Sequence, residues 1–581
     1  MRTIFILFVF LSICGADVSA QPKAEPVAIA TTETKAKVET SAVSQRVGVA
    51  QDRTLALSLD DAIRRAIDGN NEIDLARDDV RVNEALLRSA QGVFDPVITS
   101  SSNFRRNSFR GTESWSSFSA DLGYFHALPR AGGTFSPYFS TSRDGATGTG
   151  LSGAVEQNTS NLSSLGFRFT QPLFRNRRID NNRRLIRVRK KILEQSDEDF
   201  RLKTVEKIFE VQQAYWDLYF ALSEQRNQTD NLNLSKENLR KINMQIEDGA
   251  EAPLARAEVE TELANREIGV YEAERKLAAA ENRFKRLILR DIASPEWGLA
   301  LIPSDKPNLS PPNTSLDVAL SDAIGNRPEL VRLKRQQEIS EIETQYFRDQ
   351  MKPRVDLNTG VSLDGFSVNS PTGSVSPVPL IDGNLSSVNP DAFLLRQLNI
   401  IRNDPRLSLG DVSGIPRVQP GIVDSVVAGG TGQSLRNLFS PRAANFSVGI
   451  TISFPFKNRI AEAELARTAI EKKQVETRAR LQELQVYTEV RNALQNVESA
   501  AKKLGSARKA RENAEIQLQG ERDLFDTARS SRFLLFQREN ALVNARTAEI
   551  NTQIEYNKAL AELQRTTSTT LRDNGIQIDQ D

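Results

Sequence analysis

LGFRFTQPLFRNRRIDNNRRLIRVRKK, Leu165–Lys191, holds the transition around which the rest of the chain is arranged. Leu165, Phe167 and Phe169 alternate with Gly166, Arg168 and Thr170, the period-2 signature of a strand with one apolar and one polar face. Pro172 has no N–H to give to a ladder and ends the strand, and a very long helical pattern follows. The same unit returns at VGITISFPFKNR, Val448–Arg459, where Val448, Ile450 and Ile452 alternate with Gly449, Thr451 and Ser453 ahead of Pro455. Another long helical pattern follows that copy. A strand, proline and helix in series, met twice, call for an internal repeat.

The repeat is present at the front of each half. SLDDAIRRAIDGNNEI, Ser58–Ile73, aligns without gaps on SLDVALSDAIGNRPEL, Ser315–Leu330, sharing Ser, Leu, Asp, Ala, Ala, Ile and Glu. Each half then reads helix, β region, strand–proline junction, long helix, break, second long helix. The expected divisions are a leader (1–20), a disordered tether (21–53), the opening helix of the first repeat (54–93), its β region (94–174) and its long helical hairpin (175–291). A linker (292–313) leads to the opening helix (314–352), β region (353–456) and hairpin (457–571) of the second repeat, then a tail (572–581).

Lys and Arg number 76 and Asp and Glu 75 in the 581 residues, so no global field draws the chain to nucleic acid. Arg2 precedes an apolar run from Ile4 to Ile13, and Val18-Ser19-Ala20 supplies small residues before Gln21, the layout of a secretory signal peptide. The run is too short to cross a membrane as a helix. Leu11-Ser12-Ile13-Cys14 faintly resembles a lipoprotein box, but Ile13 is bulky where a small residue is wanted, so ordinary cleavage after Ala20 is expected. The one cysteine, Cys14, then leaves with the leader and no disulfide or thiol chemistry remains.

Ser58 precedes Asp60 and Asp61 as a helix N-cap, with acidic residues at the positive end of the dipole. Between Phe94 and Phe174 charge gives way to Ser, Thr, Gly and aromatics, with expected strands at Val97–Arg105, Ser116–Leu128, Thr134–Ser142 and Ser163–Leu173. Long strands with apolar alternation suit a transmembrane barrel, and by themselves they suit a soluble sandwich equally. The helices decide between the two. From Asn182 to Asp248 there is neither Pro nor Gly, and a single helix of that length reaches about 100 Å, which no globular domain accommodates. Its apolar stripe runs through Leu185, Val188, Ile192, Val205, Ile208, Tyr215 and Leu222 with 3–4 spacing, as in a helix with one packed seam and one wet side. Gly249 closes it and Pro253 opens a return helix to Ile288. Ile460–Phe525 and Phe533–Thr566 repeat the hairpin, with its tip near Asp526–Arg532.

The duplicated SLDxA opening, the QPLF and FPF junctions and the paired hairpins, with LFDTARSSRFLLFQRENALVNARTAEINTQIEYNKALAEL (Leu524–Leu563) as the last of them, resemble the TolC family of bacterial outer-membrane channels. The likeness covers about Leu55 to Leu571, and its specificity lies in the order of the motifs. It implies a mainly α fold with a β membrane region. Each chain would supply two structural repeats, long antiparallel hairpins and strands of a shared transmembrane β-barrel. It further implies a homotrimer in the outer membrane, helices extending into the periplasm, and a periplasmic adaptor protein and inner-membrane pump as partners. On that reading the tips, with Gly249, Pro253, Ala528, Arg529 and Arg532, meet the adaptor.

This chain departs from the family in places. Ala528 stands where the family has a glycine at the second tip. Well-known members carry a carboxylate ring beyond that tip, and the matching positions here are Leu534 and Gln537. Asp523 and Asp526, just before the turn, are the substitute candidates for a gate, against the reading of a solvated helix end. The β regions are longer than the minimal family pattern needs, and an irregular insertion spans 365–444, with one short helical run at Pro390–Arg402. It is expected to elaborate the extracellular end.

Arg175, Arg177, Arg178, Arg183, Arg184, Arg187, Arg189, Lys190 and Lys191 follow the first junction with only Asp180 among them, at a helix end whose dipole disfavours positive charge. A compensating group outside that turn is therefore expected. If Pro172 and Pro455 mark the inner membrane edge, Arg183, Arg184 and Arg187 lie at lipid headgroup level; a solvated face is the other reading.

Catalysis is not expected. His126 has no second histidine or cysteine with which to hold a metal, GGTGQS lacks the lysine of a phosphate loop, and no acid–base pair stands out. No cofactor is called for. The function expected is a passive exit duct of a tripartite efflux or type I secretion system. A soluble periplasmic coiled-coil adaptor or scaffold is the alternative.

Overall fold

A computed structural model describes residues 46–50, 53–108, 113–149, 155–249, 252–310, 314–369, 427–441, 443–527 and 529–576. The leader with Cys14, the run Pro390–Arg402 and Ala528 lie outside these described residues.

Strand β1 (Thr54–Leu57) leads into α1 (Leu59–Gly69) and α2 (Asn71–Gln91). The side chain of Ser58 accepts the Asp61 N–H at 3.1 Å, as its N-cap position requires. Asn70 interrupts the helix in an extended conformation, and its side chain accepts the Glu72 N–H at 2.9 Å to start α2. The second repeat does the same at the aligned positions. Ser315 accepts the Val318 N–H at 3.4 Å, and Arg327 divides α5 (Leu316–Asn326) from α6 (Pro328–Gln350). Pro328 disfavours helical backbone at the residue before it, so this break is written in the sequence. The opening helices expected over 54–93 and 314–352 are thus each a pair, and the first has a strand ahead of it.

Among the described residues six strands form one antiparallel sheet in the order β2-β3-β4-β5-β7-β8. They are β2 (Val97–Ser108), β3 (Glu113–Ala127), β4 (Thr134–Thr149), β5 (Val155–Pro172), β7 (Arg354–Asn369) and β8 (Ala444–Ser453). β5 ends at Pro172, and β8 ends at Ser453, two residues before Pro455. The seam between repeats is β5 on β7, with Leu165 opposite Leu363 and Phe167 opposite Val361. The loop with GGTGQS, expected to be irregular, folds as a short helix, α7 (Thr431–Asn437).

Four long helices leave the sheet: α3 (Asn181–Glu247, 67 residues), α4 (Leu254–Ile288), α8 (Arg459–Asp526, 68 residues) and α9 (Arg532–Thr566). At 1.5 Å per residue α3 and α8 are each about 100 Å long. α4 and α9 return along the distal parts of α3 and α8, while α2 and α6 lie against α3, and α6 also against α8. A short helix, α10 (Thr570–Asp573), follows α9.

The main core sits at the waist, where the return helices end. Tyr215, Trp216 and Leu218 of α3 meet Ile63 of α1, Phe284 and Ile288 of α4, Ile554 of α9 and Leu571 of α10. The linker supplies β6 (Ala300–Pro303), which pairs in parallel with β1, Thr54 opposite Ala300 and Leu57 opposite Pro303. The Tyr215 hydroxyl donates to the Leu57 carbonyl at 3.2 Å and accepts the Asp305 N–H at 3.0 Å. Residues 46–50, expected to belong to the tether, are docked here. Arg46 donates to Glu281 at 2.5 Å and the Ala50 N–H donates to Gly298 at 2.9 Å. An apolar residue count could not predict this docking, because one buried ion pair carries it.

Candidate functional site

The pairing registers sort the sheet into two faces. Ile98 and Phe104 of β2 stand opposite Tyr124 and Phe118 of β3, and Leu122 opposite Phe139 of β4. Phe139 faces Leu165, Phe135 faces Phe169, and across the seam Leu363 and Val361 lead to Ala444 and Phe446 of β8. Val448, Ile450 and Ile452 complete this apolar face. Its bulky members are exposed: Ile98 at 72%, Leu122 at 49%, Phe446 at 74% and Ile450 at 62%. The opposite face carries Asp121, Ser140, Arg168, Asp356, Ser362 and Thr451 through its middle. The apolar groups on this face are Val97 and Phe125 near the helical end, Tyr138 beneath the Arg168 guanidinium, and Trp115, Leu162 and Phe366 toward the far end.

The apolar face has a definite height. Along β7 it runs from Val355 to Leu363, which rises about 27 Å along the strand and stands about 21 Å tall at a tilt of about 40°. Beyond it small polar groups take over and α7 covers them. Ser163 and Ser434 hydroxyls bond at 2.8 Å, Thr431 donates to Asn161 at 2.9 Å and Ser367 donates to the Gly430 carbonyl at 2.9 Å. At the helical end Phe174, Phe454 and Phe456 are exposed beside Pro172 and Pro455. Aromatic side chains at that level are the edge expected of a lipid-facing band.

The basic run beside this edge is compensated from the second repeat. Asp180 caps α3 by accepting the Arg183 N–H at 2.8 Å and pairs with the Arg183 guanidinium at 2.8 Å. Arg184 pairs with Glu343 of α6 at 2.7 Å and lies 4.7 Å from the centre of the Tyr346 ring. Lys191 reaches Glu194 and Glu338, both at 2.8 Å, and their hydrogen bonds hold its ammonium above the ordinary lysine range. Arg175 donates to Gln350 at 2.6 Å and the Asn176 N–H donates to Asp349 at 2.7 Å. Arg183 and Arg184 therefore have partners within the chain, while Arg187 is exposed.

At the far end of the helices the two tips lie together. Gly249, at φ +72°, ends α3 with its N–H on the Ile246 carbonyl at 3.0 Å, and Pro253 caps α4. Ser531 caps α9, accepting the Leu534 N–H at 3.4 Å, and the Arg529 N–H donates to the Leu524 carbonyl at 2.8 Å. Arg532 opens α9. Asp523 and Asp526 are exposed in the last turn of α8, and Asp523 accepts from Gln519 at 3.0 Å. Leu534 and Gln537 are exposed in the opening turns of α9. What the sequence did not reveal is the clasp between hairpins. Phe536 of α9 packs on Ile242, Ala255 and Val259 of the first hairpin, and Asn540 donates to Glu262 at 3.4 Å. Glu539 is buried beside them, 3.6 Å from Arg522, and burial pushes its carboxyl up while Arg522 and Arg266 oppose the shift. Only the apolar spacing that includes Phe536 hinted at such a contact.

A two-faced sheet continuous with 100 Å hairpins in a duplicated chain has close structural counterparts. The outer-membrane channel OprN superposes with a TM-score of 0.55 at 15% identity, covering 91% of this chain and 95% of that one. The CmeC outer membrane channel of Campylobacter jejuni gives 0.56 at 12%, covering 90% of each. The open MtrE outer membrane channel of Neisseria gonorrhoeae gives 0.56 at 14%, covering 88% of each. The fold is that of the TolC-type outer-membrane channels. No family model and no curated protein sequence matches the chain. At such low identities the TolC-type likeness speaks for architecture alone. Among the described residues no group of His, Cys, Asp and Glu is arranged to hold a metal, and no helix is long and apolar enough to cross a membrane.

Proposed function

We propose that this chain is the outer-membrane exit duct of an efflux or type I secretion system, a passive conduit assembled from three copies. The observation that carries the reading is the exposed apolar band about 21 Å tall, because a band of that height on one face of a long-stranded sheet has its natural solvent in lipid. The polar face then lines the bore, and the helices carry the bore through the periplasm. The tips at Asp248–Pro253 and Phe525–Phe533 offer the adaptor its contact, and transport energy comes from an inner-membrane pump. Asp523 and Asp526 stand at that mouth as the candidate gate. Arg187, exposed just inside the aromatic edge, is the member of the basic run best placed for lipid headgroups.

Cell fractionation, mass measurement of the detergent-extracted protein and single-channel recording in a planar bilayer test the proposal together. A trimer in the outer-membrane fraction with discrete conductance steps is expected. A water-soluble monomer without conductance overturns it in favour of a periplasmic scaffold.

A further inference from the structure

Among the described residues the two repeats contribute unequally to the sheet. In the second repeat β7 follows α6 and β8 precedes α8, and the two strands pair directly with each other. In the first, β2 follows α2 and β5 precedes α3 in the same way, but β3 and β4 lie between them. Duplication alone therefore supplies four strands per chain, and the β3–β4 hairpin is added to one copy of the repeat.

That hairpin is built as wall. β3 pairs with β2 along its length from Val97–Phe125 to Ser108–Ser114, and β4 with β5 from Thr134–Thr170 to Thr149–Val155. Its outward residues Phe118, Leu122 and Phe139 continue the apolar rows of β2 and β5, and Asp121 and Ser140 continue the polar rows. A hairpin destined to fold away from the membrane would not keep both alternations in register with its neighbours.

The edges of this sheet identify what completes it. Among the described residues β2 pairs only with β3 and β8 only with β7, and every position of both edge strands is exposed. With six strands in strict antiparallel order, β2 and β8 run in opposite directions, so β8 of one copy can pair antiparallel with β2 of the next and keep the apolar rows on the same side. The helices below repeat the asymmetry. α2, which leads into β2, exposes Leu75 and Val82, and α8, which continues from β8, exposes Ile460, Ile470 and Leu481. An unpaired strand edge above an unpaired apolar helix stripe, at both ends of the chain's arc, fits a head-to-tail contact that closes into a ring.

We propose that the β3–β4 hairpin is an added pair of barrel strands. Copies joined β8 to β2 then close a barrel with six strands from each chain, where duplication alone would give four. On the trimeric outer-membrane reading above, on which this inference rests, the barrel has eighteen strands. Barrel diameter grows roughly linearly with strand number, so the addition widens the bore about 1.5-fold relative to a four-strand contribution.

Single-cysteine variants of the full chain, made in a Cys14→Ser background, labelled with bimane and reconstituted in phosphatidylcholine vesicles brominated in the acyl chain, test the wall. Leu122→Cys and Phe139→Cys are expected to lose emission to the same extent as Val448→Cys, while Asp121→Cys and Ser140→Cys are quenched by aqueous iodide instead. Quenching at Val448 without quenching at Leu122 and Phe139 overturns the proposal, since the hairpin then lies outside the membrane wall. Absence of lipid quenching at all three, together with no conductance, is instead the failure of the outer-membrane reading. The seam is read separately by a bifunctional maleimide on the Thr99→Cys, Thr451→Cys double variant, both residues on the polar face. A covalent ladder ending at three chains is expected, and no ladder in a sample that passes the quenching test overturns the closure through β8 and β2.

Discussion

Glu281 shows how much of the waist depends on single charged groups. Almost wholly buried, it accepts from Arg46 at 2.5 Å and from the Leu301 N–H at 2.9 Å, and lies 3.3 Å from the Lys285 ammonium. Lys285 in turn donates to the Trp297 carbonyl at 2.8 Å. Burial lowers the Lys285 pKa and the Glu281 carboxylate opposes that shift. Replacing Glu281 with Gln leaves two buried cations without their counter-ion, and a loss of about 3–5 kcal/mol is expected in denaturant unfolding of the extracted protein. The pH dependence has a definite sign. Unfolded Lys285 keeps its proton up to the ordinary value near 10.5, whereas the folded residue releases it earlier. Between those values the unfolded state holds more protons, so stability from this group rises with pH. Without Glu281 the release comes earlier still, so the deficit of the Gln variant narrows as pH approaches that window. A deficit that stays constant would mean Lys285 is not the group left stranded. A second pair of residues marks the repeat itself. Asn70 donates to the Leu287 carbonyl at 3.0 Å and Arg327, at the aligned position, donates to the Thr566 carbonyl at 2.9 Å, each fastening the end of a return helix. Arg327 also lies 2.6 Å from Glu489. Asn70→Ala is expected to cost about 1–3 kcal/mol for the lost bond and stranded carbonyl, and Arg327→Ala about 3–5 kcal/mol because a charge partner goes with it. Thermal unfolding of the two variants gives the order, and the reverse order would deny Arg327 its greater role.

α7 rests on the sheet through a contact that glycine alone permits. A Cβ on Gly365 would lie 1.9 Å from the Ser434 carbonyl oxygen and 2.7 Å from the Leu438 nitrogen, both backbone atoms. Gly365→Ala should therefore lift the helix at a cost of about 1–3 kcal/mol, while β7 keeps its pairing with β5. Hydrogen exchange read by mass spectrometry is expected to lose protection over 431–437 and keep it over 354–363; protection unchanged at both would mean that the helix is not held there. This element also shows where sequence reading stops. The long helices were legible because neither Pro nor Gly interrupts 182–248, and their caps fell within a residue or two of Gly249 and Pro253. The strands were legible from alternation at Phe118 and Phe167, though each runs further than its apolar part. Polar ends such as Asn161, Ser163 and Ser367 carry no period-2 apolar signal, since their partners are the groups of α7 and not a core. The break at Asn70 showed in the sequence as an interruption of the apolar period at Gly69-Asn70, and Pro328 marked the one at Arg327. Phe536 lies in a stretch read as one hairpin, whereas it packs against the other; contacts between elements distant in sequence leave no local mark.

Among the described residues the apolar core is gathered at the waist and beside the tips and the sheet exposes its apolar band, while charge over the full sequence is almost balanced. Such a body has little net field of its own, so any preference for ions must come from a local ring of charge. Asp523 and Asp526 are the exposed acidic pair in the last turn of α8, and three copies around one axis would bring six such carboxylates to the mouth of the bore. Arg529 and Arg532 lie just across the turn, so the pair acts only if its carboxylates face the axis and those cations do not. Rings of acidic side chains select cations through a potential that salt screens. In the Asp523→Asn, Asp526→Asn double variant the ratio of potassium to chloride permeability is expected to fall about twofold or more at about 0.1 M salt. The difference should shrink at about 1 M, where the screening length drops from about 10 Å to about 3 Å. Reversal potentials across asymmetric salt measure both. A ratio unaltered at low salt would show that the two carboxylates are solvated helix ends and that this mouth has no charge selection.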